Sequence, residues 1–154
     1  MKATVSFHSI RRLVSSLALF AALGAGSALA AGEVVVMYKD PNCGCCGQWA
    51  DHLREHGFIV NEIATRELSR VRSKAGVPQA LGSCHTATVG GYVVEGHVPA
   101  TDVKRLLAER PPVVGIAAPG MPLGSPGMEG PYPADRYTVI GFDAEGNTQV
   151  FASH

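Results

Sequence analysis

Three of the four cysteines in this chain lie within four residues of one another. Cys43, Cys45 and Cys46 stand in the segment PNCGCCGQW, residues 41–49, and Cys84 is the remaining cysteine. Thiols at this spacing can form disulfides, exchange disulfides with other proteins, or bind a soft metal ion as thiolates. We call these four residues the cysteine cluster.

Two structural disulfides are the first interpretation, because exported proteins use paired cysteines as crosslinks. Only one of the three clustered cysteines can pair with Cys84, so the other two would have to bond each other across a very small loop. Such a loop constrains the unfolded chain very little. This arrangement would be a poor crosslink, and we do not favour it.

Thiol–disulfide exchange is the second interpretation. Cys43 and Cys46 have the spacing C-x-x-C and precede a predicted helix. Free amide groups and the helix dipole at that position lower a thiol pKa and favour the thiolate. However, Cys45 lies inside the pair and would compete in any exchange reaction.

Metal binding is the third interpretation, because thiolates select Cu(I), zinc or iron–sulfur clusters. A structural zinc site usually has two C-x₂-C pairs, whereas here three cysteines are clustered and one is distant. Adjacent Cys45 and Cys46 would be hard to close on one tetrahedral ion together with Cys43. Because sulfur can bridge metal ions, the spacing favours several Cu(I) ions that share cysteines.

Four histidines are candidate supporting ligands. His97 precedes a predicted helix in the segment EGHVP. His85 follows Cys84, and strand alternation would turn its side chain to the opposite face unless the strand begins after it. His52 and His56 lie four residues apart on the first predicted helix, a spacing that can grip a metal but is more typical of one solvated and one half-buried histidine.

Two methionines stand in a proline- and glycine-rich loop. The tripeptide PGM occurs at residues 119–121 and again at 126–128, and we call residues 119–128 the methionine loop. Core methionines usually lie inside regular elements, whereas Met121 and Met128 do not. Their thioethers are soft ligands suited to Cu(I). We therefore predict that this loop is a lid or an entry path for copper.

Hydrophobic patterns and turn residues predict the order β-α-β-α-β-β-α, with the three clustered cysteines at the first strand-to-helix turn. Thr65 is the expected N-cap of the second helix. Residues 111–133 hold seven prolines and five glycines, and we expect no regular element there. A closing hairpin is expected after them. The predicted strands are 33–39, 58–64, 86–89 and 92–95, the helices are 47–57, 65–76 and 100–110, and the hairpin is 137–151.

This order resembles the thioredoxin-like α/β fold over roughly residues 33–110. In that fold the active cysteines also lie between the first strand and the first helix, and a cis-proline faces them before the third strand. Here the corresponding segment is Ser83-Cys84-His85, and Pro78 lies several residues earlier. The sequence therefore has a metal ligand at the position of a peptide-binding proline.

Three motifs together resemble the CopG family of periplasmic copper-resistance proteins: YKDPNCGCCGQW, SCHTATVGGYVVEGHVPA and GMPLGSPGME. The resemblance implies a copper-resistance protein that holds Cu(I) on the cysteine cluster and works with other copper-handling proteins of the periplasm. His97 matches the family pattern. Interconversion of Cu(I) and Cu(II) would fit the same residues, and no hydrolytic or transferase site is evident. The alternatives are a thiol–disulfide oxidoreductase using Cys43 and Cys46, and a chaperone that passes copper to a partner.

The first thirty residues have the pattern of an export signal. Basic residues precede an apolar run at 14–29, and Ala28-Leu29-Ala30 predicts cleavage after Ala30. The remaining residues 31–154 suit a single domain in the bacterial periplasm. The apolar run is short for a membrane anchor. Because the chain has no basic stripe and few aromatic residues, nothing in the sequence indicates nucleic-acid binding, and we expect none.

Overall fold

A mixed sheet of seven strands organises residues 32–154, the part of the chain that the computed structural model describes. The predicted export signal, residues 1–30, lies outside this part. No helix in the described part is long and apolar enough to cross a membrane. The strands are β1 (Val34–Lys39), β2 (Ile59–Ala64), β3 (His85–Val89), β4 (Tyr92–Gly96), β5 (Gly115–Ala118), β6 (Thr138–Phe142) and β7 (Thr148–Ser153). The helices are α1 (Gly44–Glu55), α2 (Leu68–Lys74) and α3 (Ala100–Glu109), and a short 3₁₀ turn spans Gln79–Leu81.

The strands lie side by side in the order β2-β1-β3-β4-β5-β6-β7. Strand β1 is parallel to β2 and antiparallel to β3, and β4 is antiparallel to β3 and parallel to β5. At the end of β1, Lys39 is paired with His85, the first residue of β3. The turn after β1 and the segment before β3 therefore meet at the same end of the sheet.

Two apolar clusters cover the sheet. The larger one packs α1 and α3 on the strands, with Trp49, Leu53 and Leu106 fully buried against Val35 and Met37. Burial of one such aliphatic side chain stabilises the fold by roughly 1.5–3 kcal/mol. The smaller cluster consists of Val77, Leu81, Val93, Ala117 and Phe142. Helix α2 buries no residue of its own.

The sequence predicted most of these elements, and the mixed α/β class is observed. The hairpin around Gly90 and Gly91 and the closing hairpin of β6 and β7 form as expected. The prediction that residues 111–133 hold no regular element is wrong, because β5 lies within them. Its residues Gly115–Ala118 contain no proline, are fully buried, and pair with β4 on one side and β6 on the other.

The predicted start of the second helix is also wrong. Helix α2 begins at Leu68 with Glu67 as its N-cap residue. The Thr65 hydroxyl oxygen instead accepts a hydrogen bond from the Glu67 backbone N–H at 3.0 Å. Thr65 thus closes a local turn ahead of the helix, which is the alternative use of a threonine side chain near a helix start.

Candidate metal centre

The turn after β1, which continues into the first turn of α1, presents Cys43, Cys45 and Cys46. Its backbone is fixed by two hydrogen bonds, from Cys43 N–H to the Asp40 carbonyl at 3.1 Å and from Asn42 N–H to the Asp40 carboxylate at 2.8 Å. Cys43 is the N-cap residue of α1, and within the described part of the chain its side chain makes no capping hydrogen bond. The first amide groups of α1 therefore remain available to stabilise negative charge on the sulfurs.

The fourth cysteine reaches the same place from the other side of β1. Cys84 directly precedes β3, and its carbonyl oxygen lies 3.5 Å from the Cys46 sulfur. The four sulfur atoms of the cysteine cluster all lie within 4.8 Å of one another. The cluster is thus close enough for a metal ion, or several, to contact all four cysteines.

The cysteines are not equivalent in the structure. Cys43 and Cys46 form a disulfide, whereas Cys45 and Cys84 are free thiols. The Cys45 sulfur lies 3.5 Å from the Cys43 sulfur. One disulfide therefore forms at the C-x-x-C pair, and the second disulfide of a purely structural arrangement is absent from the described residues.

Cys84 is held as a neutral thiol. Burial, followed by the nearby Cys45, raises the pKa of the Cys84 thiol to about 12. Both causes penalise the thiolate. A cation placed among the sulfurs would reverse this penalty, so metal binding here must release the Cys84 proton.

His97 directs a ring nitrogen at Cys84. The ring is fully buried, and its Nδ1–H donates to the Pro126 carbonyl oxygen at 2.8 Å. Burial lowers the pKa of His97, which favours the neutral ring. With the proton on Nδ1, the Nε2 lone pair faces the Cys84 sulfur at 3.1 Å. A carbonyl that fixes the histidine tautomer in this way is the usual arrangement behind a metal-binding histidine.

His85 lies against the same sulfur. Its Nδ1 is 3.6 Å from the Cys84 sulfur, and its buried Nε2 has no hydrogen-bond partner among residues 32–154. Burial, together with His97, lowers the pKa of His85 to about 3. Strand alternation does not separate the two side chains, because Cys84 precedes β3 and His85 begins it. Sulfur and unprotonated imidazole nitrogen therefore form a donor set that fits a soft metal ion.

Helix α1 supports the segment that carries His97. The Trp49 indole N–H donates to the Val98 carbonyl at 2.9 Å, and His52 Nε2 accepts the Ala100 N–H at 3.1 Å. His56 Nδ1–H donates to the His52 carbonyl at 2.8 Å. Each of the two helical histidines thus uses one ring nitrogen to bind a backbone group, and neither belongs to the donor groups that gather at Cys84.

The methionine loop packs on the first turn of α1. At Gly127, which has a φ of +81°, a Cβ atom would lie 2.8 Å from both the Cys45 carbonyl and the Trp49 nitrogen. Met128 is half-buried, and Met121 is 43% exposed. The loop therefore covers the cysteine-bearing turn, and the role of the two thioethers as ligands stays a prediction.

One charged pair near the site was not predicted from the sequence. Glu95 in β4 is fully buried and binds Arg72 of α2 through Nε at 2.8 Å. A lone carboxylate in the otherwise apolar strand segment YVVEG was the available signal, since buried acids require partners.

Comparison with known proteins places the chain in a family. Two solved structures of copper resistance protein CopG, form 2 and form 1, are each 45% identical to it. Form 2 covers 80% of this chain and 98% of its own with a TM-score of 0.76, and form 1 covers 79% and 96% with a TM-score of 0.75. A family model described as a protein of unknown function, DUF411, matches residues 81–128. No curated protein matches the chain.

The matched residues 81–128 contain Cys84, His85, His97 and the methionine loop. The family model therefore covers the part of the candidate site that does not come from the first turn of α1. The neighbours named for copper resistance cover the other part as well. This chain belongs to the CopG family of copper resistance proteins.

Proposed function

We propose that this protein binds Cu(I) on the cysteine cluster and protects the bacterium against copper, with His97 as an additional ligand. The observation that carries this proposal is the convergence of four sulfur atoms within 4.8 Å, with the His97 Nε2 atom 3.1 Å from the Cys84 sulfur. Solved structures of similar sequence carry the name copper resistance protein, which supports copper as the metal.

The ligand chemistry favours Cu(I) over zinc. Thiolate sulfur, thioether sulfur and neutral imidazole are soft or borderline donors, and Cu(I) accepts them in low coordination numbers. A single tetrahedral zinc ion would need four independently placed ligands, whereas Cys45 and Cys46 are adjacent in one helical turn. Bridging sulfurs relieve this constraint.

We also propose more than one copper per chain. Four thiolates around a single Cu(I) would leave excess negative charge in a partly buried site, which is costly. Several Cu(I) ions that share the sulfurs would offset that charge. The raised pKa of Cys84, caused by burial and by Cys45, supports the need for this compensation.

The reduced C-x-x-C pair can also supply electrons to copper. Oxidation of the Cys43 and Cys46 thiols to their disulfide releases two electrons and two protons, and the two electrons reduce two Cu(II) ions to Cu(I). The disulfide between these residues shows that the pair can adopt the oxidised form that this step requires. Cys45, Cys84 and His97 remain as donors after it has formed.

The methionine loop is proposed as the cover of this site and an entry path for copper, with Met121 and Met128 as transient ligands. Its packing on the first turn of α1 supports this role.

We further propose export to the periplasm through cleavage after Ala30. We also propose a thioredoxin-like core, for which the β2-β1-β3-β4 arrangement with α1 following β1 gives support.

The rival function is thiol–disulfide exchange by Cys43 and Cys46, which the observed disulfide favours. Cys45→Ser separates the two, because Cys45 lies outside the C-x-x-C pair. If the site is built for metal, this variant should lose most of the copper that the reduced wild type binds under anaerobic conditions. An exchange enzyme should tolerate Cys45→Ser and be inactivated by Cys43→Ser.

The measurement is copper per protein by elemental analysis, run beside reduction of a disulfide-bonded test substrate. Full copper loading by Cys45→Ser, combined with exchange activity that depends on Cys43, would contradict the proposal and favour the rival.

A further inference from the structure

The residue before Cys84 is bound at both of its backbone groups by one ion pair, in which Glu95 is fully buried and Arg72 is partly buried. The Ser83 N–H donates to a Glu95 carboxylate oxygen at 2.6 Å, and the Arg72 guanidinium donates through Nη2 to the Ser83 carbonyl. Arg72 and Glu95 are themselves joined by a 2.8 Å bond. The pair therefore clamps the backbone immediately ahead of the cysteine.

The surrounding packing leaves this segment little room to move. A Cβ atom at Gly96 would lie 2.7 Å from the Ser83 Cβ and 2.6 Å from the Ala118 carbonyl. A Cβ atom at Gly82 would lie 3.2 Å from the Arg72 guanidinium. Small residues on both sides thus allow the clamp and the Ser83 backbone to fit closely together.

Stability alone is a weak reason for such a pair. Burial raises the pKa of Glu95, because it penalises the charged carboxylate. The hydrogen bonds from Thr86, Ser83 and Arg72 act in the opposite direction but do not cancel this effect. Buried ion pairs can often be replaced by apolar residues of similar volume without loss of stability. Helix α2 otherwise buries no residue, so Arg72 connects it specifically to the segment that carries the distant thiol.

We propose that Arg72 and Glu95 are positioning residues that fix the Ser83 backbone and thereby direct the Cys84 sulfur toward Cys45 and His97. The proposal rests on the proposed copper site for its biological purpose. The positioning itself is a property of the metal-free protein, and it can be measured without copper.

The first experiment measures the rate at which the Cys84 and Cys45 thiols can be cross-linked, which depends on their relative placement. In a Cys43→Ser/Cys46→Ser background these two are the only thiols, and their sulfurs lie within 4.8 Å. Dibromobimane becomes fluorescent when it bridges two nearby thiols, so its cross-linking rate reports their relative placement. Adding Arg72→Met together with Glu95→Leu removes both Ser83 bonds without leaving a buried charge.

Three further variants make this test specific. Thr86→Val removes the 2.6 Å bond between Thr86 and Glu95 and leaves both Ser83 bonds intact. Glu95→Gln keeps an oxygen for the Ser83 N–H. Arg72→Lys keeps the charge but loses the planar fork that reaches both partners, and it serves if the Arg72→Met/Glu95→Leu protein does not fold.

We expect cross-linking to slow several-fold in Arg72→Met/Glu95→Leu and in Arg72→Lys. It should stay near the parent rate in Glu95→Gln and in Thr86→Val, even though Thr86→Val lowers the melting temperature. An unchanged rate in both Arg72 variants would overturn the proposal. So would a rate that follows melting temperature through the whole series, since that is the behaviour of a purely structural pair.

The second experiment repeats the series with all four cysteines present and measures Cu(I) affinity by competition with a chromophoric chelator. Outer partners that orient metal ligands typically change affinity by about 10- to 100-fold, and we expect a loss of this order in Arg72→Met/Glu95→Leu alongside normal affinity in Thr86→Val. Normal affinity in the double variant would count against positioning. If the wild type binds no copper, the proposed function fails, and the cross-linking rates still decide the positioning.

Discussion

Two pairs of histidines in this protein differ in their spacing along the sequence and in what their ring nitrogens contact. His52 and His56 lie four residues apart on α1, and each uses a ring nitrogen to bind a backbone group. His85 and His97 come from the start of β3 and from the segment after β4, and both direct a nitrogen at Cys84. The pair that approaches the Cys84 thiol is therefore His85 and His97, whose spacing in the sequence does not suggest a metal site.

The difference shows that a metal site requires donors with free lone pairs at one point in space. At His97 the Pro126 carbonyl binds Nδ1–H and leaves Nε2 for a metal, whereas at His52 the Ala100 N–H already occupies Nε2. Burial lowers the pKa of His52 as well as of His85 and His97, so the second pair is distinguished by having a ring nitrogen beside the Cys84 sulfur. The following predictions test this contrast, starting with the cysteine that both buried rings approach.

Cys84→Ala should have the largest effect. Its sulfur lies next to both buried histidines and within reach of the other three sulfurs. If the sulfurs bridge several Cu(I) ions, removal of Cys84 should abolish most copper loading and not just one ion in proportion. Elemental analysis of anaerobically loaded protein checks this, and loading equal to the wild type would contradict it.

His97→Phe should weaken Cu(I) binding by at least the roughly 10- to 100-fold that is typical when an outer partner of a metal ligand is lost. Phenylalanine keeps the buried volume and removes the nitrogen that faces Cys84. His52→Phe is the matched control, because it makes the same chemical change on α1. Chelator competition measures both, and equal losses in the two variants would remove the distinction between the histidine pairs.

His85 should make the metal-free protein sensitive to acid. Its pKa is about 3 in the folded state against an ordinary value of 6.5, so the unfolded chain binds a proton more readily. The stabilisation from neutral His85 is therefore complete above about pH 6.5 and is lost as the pH falls toward 3. His85→Leu should show a flatter decline of melting temperature over this range. The same slope in both proteins would contradict the prediction.

His52→Phe should have the smallest effect, confined to stability. It removes the acceptor of the Ala100 N–H at the start of α3, and loss of one such bond costs about 1 kcal/mol. Urea unfolding measures the change in the free energy of unfolding. A loss of copper without a loss of stability would mean that His52 serves the metal and not the helix.

The parts of the structure that local patterns control could be predicted from the sequence. Apolar runs and turn residues gave β1, α1, the Gly90-Gly91 hairpin and α3, and the element order brought Cys84 beside the first turn. Strand β5 could not be found this way, because Gly115–Ala118 forms a strand only through pairing with β4 and β6. The orientation of His97 was equally inaccessible, since the Pro126 carbonyl that binds it lies twenty-nine residues away.

The clamp on Ser83 shows the same limit. Arg72 stands on a solvent-facing helix, and no local pattern connects it with Glu95 twenty-three residues later. By contrast, the spacing of Cys43 and Cys46, three positions apart, was enough to indicate that these two residues could form a disulfide. Local spacing thus identified the cysteines as the candidate site, whereas contacts between distant segments determine how these cysteines are oriented.

The copper content of the reduced protein tests the central claim most directly. The wild type should be purified without oxygen, supplied with Cu(I) under a weak competing chelator, and analysed for copper per protein, with Cys84→Ala treated identically. X-ray absorption on the same sample reports any short copper–copper distance. We predict more than one copper per wild-type chain, a copper–copper contribution, and near-complete loss of both in Cys84→Ala. No copper in the wild type, or the same copper content in both proteins, would contradict the account.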